Sequence, residues 1–320
     1  MKRAPFSIVG GLATSALLAL LMLVPALQAF AETAGAKAFP TPEKAVAGLI
    51  DAAKRKDVDG MLAILGPETK PWISSGDPVQ DQQGLARFIT AFDEKNGLER
   101  QGDAKAVLVI GNDGFPFPFP IVKTAKGWAF DAEQGREELL ARRIGRNELN
   151  TMQVLLAIVD AQGDYAAADR NGDGALEYAA KFLSAPGKQD GLYWPTGEGE
   201  PQSPLGPLVA EAVEEGYGKD KQTSDAGETR AYHGYHFKLL KRQGADAPGG
   251  AYDYVVGGLM IGGFAVLAYP ARYGNSGVMT FMVSHDGAVF EADLGPETPT
   301  VAQALETFNP GEDWKKVKPE

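Results

Sequence analysis

The chain has 320 residues, of which 44% are hydrophobic and 23% are charged, and this is typical of a globular protein long enough for two domains. Its formal net charge of −11 at pH 7 disfavours binding to nucleic acid or to anionic lipid surfaces, because both carry negative charge themselves. The chain contains no cysteine, which excludes disulfides, thiol catalysis and cysteine-ligated metal.

The amino terminus has the pattern of a secretory signal peptide. Lys2 and Arg3 precede a long apolar run, and residues 29–31 read Ala-Phe-Ala, a small-x-small ending. We expect a signal peptide over residues 1–31 and a periplasmic mature protein without stable membrane insertion. The alternative is an uncleaved amino-terminal anchor, because the apolar run approaches spanning length. Pro25, shortly before the small residues, favours cleavage.

Residues 38–131 are predicted to form an amino-terminal domain in which helices precede strands. Thr41 can cap a first helix that begins at Pro42, and its apolar residues recur every three or four positions. Strands follow, and in residues 115–120 phenylalanine alternates with proline, which predicts an edge or bulged segment because proline cannot donate to a sheet. The order of helices and then a curved sheet resembles the cone-shaped nuclear-transport-factor-2-like fold.

Residues 132–320 are predicted to form a second domain. A long helix over 146–168 would pack on an antiparallel sheet made by the final third of the chain, whose apolar segments break at Gly-rich and Asp-Gly turns. Because helices precede strands in each half, the predicted class is α+β and not a parallel doubly wound sheet. The helix has one apolar stripe, formed by Leu149, Met152, Leu156 and Val159.

The segment "DRNGDGALEY" resembles the first part of an EF-hand loop. Calcium prefers six to eight oxygen ligands, and a glycine at the sixth position allows the sharp turn. The predicted ligands are Asp169, Asn171, Asp173, the carbonyl of Ala175 and Glu177. Position twelve of the loop is an alanine, so the usual bidentate glutamate is missing.

We expect a structural calcium ion, not a catalytic one, that joins the long helix to the sheet of the second domain. Leu176 would anchor the loop in the core. The alternative is a plain turn in which the aspartate and asparagine side chains cap the neighbouring backbone. Three acids within nine residues would repel one another without an ion, and this favours calcium.

Other candidate groups have weaker patterns. His233 and His236 lie three apart on a predicted strand and would point to opposite faces, so they do not form a zinc pair. No nucleophile motif surrounds Ser276, and no catalytic residue is assigned. Four aromatic residues would either form a ligand platform or, as we favour, fill an edge of the core; they are Tyr193, Trp194, Tyr232 and Tyr235.

Long stretches of the chain resemble the bacterial domain-of-unknown-function 2950 family. The similarity is carried by "DRNGDGALEYAAKFLSAPGKQDGLYWP", "YHGYHFKLL" and "GGFAVLAYPARYGNSGVMTFMVSHDGAVFEADLG". It implies an exported protein but no particular reaction. The carboxyl-terminal half is also faintly similar to the globular heads of type IV pilins and pseudopilins. The chain lacks the prepilin-type amino terminus, so filament assembly is not implied.

Two functions remain open from the sequence. The leading hypothesis is a non-catalytic periplasmic module that binds or scaffolds a cell-envelope component, either a protein or a polysaccharide. The alternative is a cell-envelope hydrolase that uses carboxylates in a cleft. A pocket with two carboxylates, or a histidine–carboxylate pair with shifted pKa values, would favour the hydrolase.

Overall fold

The structure, a computed structural model, describes residues 35–217 and 231–318. The predicted signal peptide over residues 1–31 lies outside the described residues.

Helices come first in the amino-terminal half and a sheet follows them. The helices are α1 (Pro42–Lys54), α2 (Val58–Leu65), α3 (Lys70–Ile73) and α4 (Pro78–Glu94), with a 3-10 turn at Pro67–Thr69. The strands are β1 (Asn96–Gln101), β2 (Lys105–Ile110), β3 (Phe115–Pro116), β4 (Ile121–Thr124) and β5 (Gly127–Phe130). The sheet has the order β1-β2-β4-β5, and the proline-rich segment adds only the two-residue strand β3 beside β2.

A first hydrophobic core lies between these helices and this sheet. Thr41 begins α1 as predicted, because its hydroxyl accepts a hydrogen bond from the backbone nitrogen of Lys44 at 3.3 Å. The inner face of α1 places Leu49 against the sheet, where Ile121 and Phe130 are fully buried.

The long helix α5 (Ala132–Ala166) starts earlier than residue 146 and carries a different buried face from the predicted stripe. It starts at 132 because the Asp131 carboxylate accepts from the backbone nitrogen of Gln134 at 3.0 Å. Leu149 is 53% exposed, so its place in the buried stripe was wrong. The buried face of the carboxyl-terminal two thirds includes polar residues; it consists of Asn147, Thr151, Val154, Leu155, Ile158, Ala161, Gln162 and Tyr165.

The carboxyl-terminal half is mainly antiparallel sheet. Its elements are α6 (Gly206–Glu214), β6 (Tyr235–Leu240), β7 (Arg242–Gln243), β8 (Tyr252–Asp253), β9 (Ala265–Pro270), β10 (Met279–Ser284), β11 (Val289–Asp293), α7 (Thr298–Ala304), β12 (Thr307–Phe308) and β13 (Lys315–Val317). One sheet has the order β13-β11-β10-β9-β6 and is antiparallel throughout. A small second sheet has the order β12-β7-β8, with β12 parallel to β7.

A second hydrophobic core lies where α5 packs on β9 and β10. The predicted α+β class, with a long helix on an antiparallel sheet, is therefore confirmed. The apolar stretch around residue 258 forms a tight turn, in which Val256 and Leu259 pair while Gly257 and Gly258 take φ values of 63° and 93°. Within residues 35–217 and 231–318 no helix is both long and apolar enough to cross a membrane.

Candidate functional site

The calcium-type loop follows α5 directly, and its carboxylates bind its own backbone. The Asp169 carboxylate accepts from the backbone nitrogens of Gly172 at 2.7 Å and Gly174 at 2.9 Å. The Asp173 carboxylate accepts from the backbone nitrogen of Ala175 at 2.9 Å. Gly172 and Gly174 have φ values of 76° and 87°, which other residues adopt only with strain. The loop is thus a series of side-chain-capped turns.

A side-chain amide lies between two of the predicted ligands. Nδ2 of Asn171 donates to Oδ2 of Asp173 at 2.9 Å and to Oε1 of Glu177 at 2.7 Å. The side chains of three predicted ligands, Asn171, Asp173 and Glu177, therefore converge. The group on which they converge is the N–H donor of the Asn171 amide. Among the described residues, no group of three or more acidic, histidine or cysteine side chains is placed as a metal site.

Glu177 connects the loop to the carboxyl-terminal half. Its Oε2 accepts from the backbone nitrogen of Met260 at 2.9 Å, and the next residue, Tyr178, donates its backbone N–H to the Met260 carbonyl at 2.9 Å. Leu176 is 62% exposed, so the expectation that it anchors the loop in the core was wrong. The loop is instead anchored by the hydrogen bonds that residues 177–178 make with the backbone of Met260.

A buried polar junction lies where α4, α5 and the start of β6 meet, and Asp77 is at its centre. Asp77 is 1% exposed and caps α4 by accepting from the backbone nitrogen of Gln80 at 3.1 Å. Its Oδ2 also accepts from the Tyr217 hydroxyl at 2.6 Å and from the backbone nitrogen of Gly234 at 3.2 Å. Burial, and then the neighbouring Asp77, raise the pKa of Tyr217 far above its ordinary value, so Tyr217 is a neutral donor.

Asn147 extends this junction from α5. It is fully buried, its Oδ1 accepts from Nε2 of Gln80 at 2.7 Å, and its Nδ2 donates to the Ser276 carbonyl at 2.8 Å. Position 234 must be glycine, because its φ is 77° and an added Cβ would lie 2.5 Å from Nδ2 of Asn147. Both polar ends of the Asn147 amide are satisfied by protein groups.

Residues around 272–275 close the junction against the amino-terminal half. Nδ2 of Asn275 donates to the carbonyls of Pro71 at 2.8 Å and Ser74 at 3.0 Å. A guanidinium nitrogen of Arg272 donates to the same Ser74 carbonyl at 3.0 Å, and Arg143 on α5 donates to the Trp72 carbonyl at 2.7 Å. These side chains donate hydrogen bonds to backbone carbonyls at the end of α3.

A histidine–carboxylate pair borders the junction. Nε2 of His233 lies 3.5 Å from Oε2 of Glu215, and the His233 ring packs against Tyr232 with 4.1 Å between centroids. Burial lowers the pKa of His233, while Glu215 opposes this shift, so the imidazole is neutral at pH 7. His233 has a φ of 49°, which places it in the turn before β6 and not on a strand as predicted.

A pair of carboxylates lies where α5 meets the main sheet. Oε1 of Glu148 accepts from the backbone nitrogens of Val278 and Met279, both at 3.0 Å. Burial raises the pKa of Glu291 on β11, and the nearby Glu148 carboxylate raises it further. Glu291 is thus easier to protonate than an ordinary glutamate, whereas Glu148 is held by two amides.

The four aromatic residues mostly fill the core. Tyr235 is fully buried, Trp194 is 8% exposed, and Tyr193 and Tyr232 pack against the same cluster. Their burial agrees with the interpretation that they complete a core edge, and it argues against an exposed ligand platform.

Sequence patterns did not indicate the junction. Asp77 precedes a proline, as a helix cap does, but its other partners, Tyr217 and Gly234, lie 140 and 157 residues away. The one available signal was the series of helix-capping and polar residues in "SSGDPVQ". This pattern predicts the start of a helix but does not predict that Asp77 is buried.

Comparison with known proteins identifies the family of the chain. The model of the family described as "Protein of unknown function (DUF2950)" matches residues 36–317, and the chain belongs to this family. No curated protein and no solved structure matches the chain. The similarity to pilin heads stays a prediction.

Proposed function

We propose that this protein is an exported periplasmic module that binds or scaffolds a cell-envelope component without catalysing a reaction, and that calcium stabilises its loop at residues 169–177. The observation that best supports the non-catalytic role is that the polar groups of the buried junction are already hydrogen-bonded within the protein. The Asp77 carboxylate accepts three hydrogen bonds, and both ends of the Asn147 amide are paired within the protein. Groups used in this way hold segments together and are not free for proton transfer.

The loop supports a calcium ion by its oxygen content and its position. Asp169, Asp173 and Glu177 bring three carboxylates to one exposed turn, and only one side-chain amide lies between two of them. Rotation of the Asn171 amide would turn its oxygen toward the same point, as a calcium ligand requires. Because Glu177 also holds Met260, an ion at this point would stabilise the link between α5 and the sheet.

Calcium is expected to raise the melting temperature by several degrees relative to chelator, because an ion that binds only the folded state stabilises it. Asp169→Asn and Asp173→Asn should abolish this calcium-dependent shift while keeping an oxygen that accepts backbone hydrogen bonds. Differential scanning calorimetry with calcium and with chelator measures the shift.

The control is Asp160→Asn, which removes one exposed acid of α5 outside the loop and should leave the calcium shift unchanged. Equal melting temperatures of the wild type with calcium and with chelator would contradict the calcium site and show that the loop is only a capped turn.

A hydrolase is the second candidate, and two arrangements favour it. The Glu148–Glu291 pair combines an amide-bound carboxylate with one that is easier to protonate, as acid–base catalysis requires. The neutral His233 beside Glu215 has the protonation state of a general base. The described partners of His233 include no serine or threonine hydroxyl, and its tyrosine neighbours have raised pKa values.

Binding and turnover assays with the purified mature protein decide between the two functions. We expect that it retains a component from periplasmic and envelope extracts and does not turn over peptidoglycan or envelope polysaccharide. Turnover that Glu291→Gln or His233→Gln removes would establish the hydrolase instead. A bound component that elutes chemically unchanged, with equal capture by both variants, would support the binding module.

A further inference from the structure

We propose that strand β1 pairs antiparallel with β1 of a second copy of this chain, so that the amino-terminal sheets of the two copies form one continuous sheet. We call the outer side of this strand, over residues Asn96–Gln101, the β1 edge. The inference goes beyond the proposed binding function, because it assigns a surface through which the protein contacts itself.

The hydrogen-bond pattern of the sheet shows which backbone groups lie at the β1 edge. β1 pairs with β2, and in the same register the backbone nitrogen of Gly111 donates to the Lys95 carbonyl at 2.8 Å. Hydrogen-bonded pairs alternate along an antiparallel ladder, so Gly97, Glu99 and Gln101 bond β2. The N–H and C=O groups of the residues between them point away from β2; these residues are Asn96, Leu98 and Arg100.

The β1 edge is open, whereas the opposite edge of the same sheet is covered. Within residues 35–217 and 231–318, no backbone group bonds Asn96, Leu98 or Arg100 on the outer side. At the opposite edge, Phe39 and Trp128 of β5 exchange backbone hydrogen bonds of 2.8 and 2.7 Å. An exposed strand with unpaired backbone groups is a template on which another strand can pair.

The sequence of β1 is self-complementary around Leu98. In a two-fold antiparallel pairing centred there, Leu98 lies opposite Leu98 of the second copy, and Asn96 lies opposite Arg100. All three outward residues are paired in this register, and each pair exchanges two backbone hydrogen bonds. Glu99 lies opposite Gly97, so neither charged residue of β1 faces a like charge.

The charges near the β1 edge also favour this register. Lys95 lies diagonally across from Glu99 of the second copy, which is within reach of a long side chain, and the two charges are opposite. Arg100 is turned away from the edge, because its guanidinium lies 2.9 Å from a carboxylate oxygen of Glu43 and 5.6 Å from the centre of the Trp128 ring. Its side chain therefore does not obstruct the second copy.

Helix α4 gives an independent reason for a partner at this edge. It has 17 residues and lies against β1 and β2, yet none of its residues is buried. Its large apolar side chains are only partly covered; they are Leu85, Phe88, Ile89 and Phe92. Adjacent strands lie about 4.8 Å apart, so pairing at the β1 edge brings the two copies of α4 side by side. Each copy then covers apolar surface that the other leaves exposed.

Sedimentation equilibrium of the full mature chain tests the assembly. We expect the mass of two chains at micromolar concentration. Leu98→Pro should give the mass of one chain, because proline removes the central outward N–H but no donor of the β1–β2 ladder. Leu98→Ala is the matched control: it loses the same apolar side chain, keeps the N–H and should remain a dimer. Circular dichroism melting of both variants checks that folding is retained.

A charge exchange across the edge tests the register and leaves the backbone of β1 unchanged. Gly97→Glu places a carboxylate opposite Glu99 of the second copy and should weaken the dimer by about tenfold, since this like-charge pair occurs twice. A Cβ at position 97 would lie 3.5 Å from the Val109 side chain, an ordinary contact that the fold tolerates. Adding Glu99→Lys to Gly97→Glu makes the facing charges opposite and should restore the dimer.

The absence of cysteine from the chain allows a direct test of distance. In the proposed register, the Cα atoms of residue 97 and of residue 99 in the second copy lie about 4.5 Å apart, which a disulfide can span. A mixture of the Gly97→Cys and Glu99→Cys proteins should therefore form a disulfide-linked dimer under mild oxidation. Each variant alone is the control and should cross-link more slowly.

A wild-type mass of one chain throughout the micromolar range would overturn the proposal. A dimer that persists unchanged in both Leu98→Pro and Gly97→Glu would place the contact on another surface and would also overturn the β1 edge. Neither result bears on the proposed binding function, which the capture of an envelope component tests separately.

Discussion

Asp77→Ala is expected to lower the free energy of unfolding by about 3 kcal/mol or more, because it leaves one buried and two partly buried donors without their acceptor. Those donors are the Tyr217 hydroxyl and the backbone nitrogens of Gln80 and Gly234. Water cannot easily replace the carboxylate, since Asp77 is 1% exposed. Urea-induced unfolding followed by circular dichroism measures the loss.

Asp57→Ala is the matched control for this prediction. Asp57 caps α2 in the same way that Asp77 caps α4, by accepting from the backbone nitrogen of Gly60 at 2.8 Å. Its side chain is 36% exposed, and it has none of the long-range partners of Asp77. We expect a loss of about 1 kcal/mol, the usual value of a helix cap. Equal losses in the two variants would mean that Asp77 acts only as a cap.

Gly135→Ala and Gly145→Ala are expected to change stability in opposite directions, although both glycines lie inside α5. A Cβ at position 135 would lie 2.0 Å from Cδ1 of Phe119, which is itself 3% exposed and has little room to move. We expect Gly135→Ala to lower the free energy of unfolding by about 3 kcal/mol, as overpacking of a core does.

Gly145 provides the control because a Cβ there would meet no atom within 4 Å. Alanine is the better helix former, so Gly145→Ala should raise the free energy of unfolding by about 0.5–1 kcal/mol. Chemical denaturation of both variants measures the difference. A gain in stability for Gly135→Ala would contradict the close approach of α5 to Phe119.

The α+β class followed from the sequence because local patterns carry it. Thr41 before Pro42 marks a helix start, alternating Phe and Pro residues mark a poor strand, and paired glycines mark a turn at 256–259. Each of these depends on a residue and its immediate neighbours, so no tertiary information was needed.

The buried face of α5 could not be predicted in this way. Apolar periodicity selected Leu149, which is exposed, and passed over Asn147 and Gln162, which are fully buried. Both polar side chains are buried because distant groups satisfy them: Asn147 bonds Ser276, and Gln162 makes two hydrogen bonds with the backbone of Ala179. Polarity alone therefore placed them on the wrong side of the helix.

The candidate loop was found by its residue spacing, while the junction was not. The loop lies within nine consecutive residues, so its pattern is visible in the sequence. The junction combines Asp77, Asn147 and Gly234, and only tertiary packing brings them together.

The bonds from residues 272–275 to the end of α3 also bear on the order in which the chain folds. The pairs Arg272–Ser74 and Asn275–Pro71 close loops of 198 and 204 residues. Contacts of such sequence separation have a high entropic cost and form slowly, whereas α5 can form from local contacts. The amino-terminal half therefore keeps the Pro71 and Ser74 carbonyls without these partners until residues 272–275 have been synthesised.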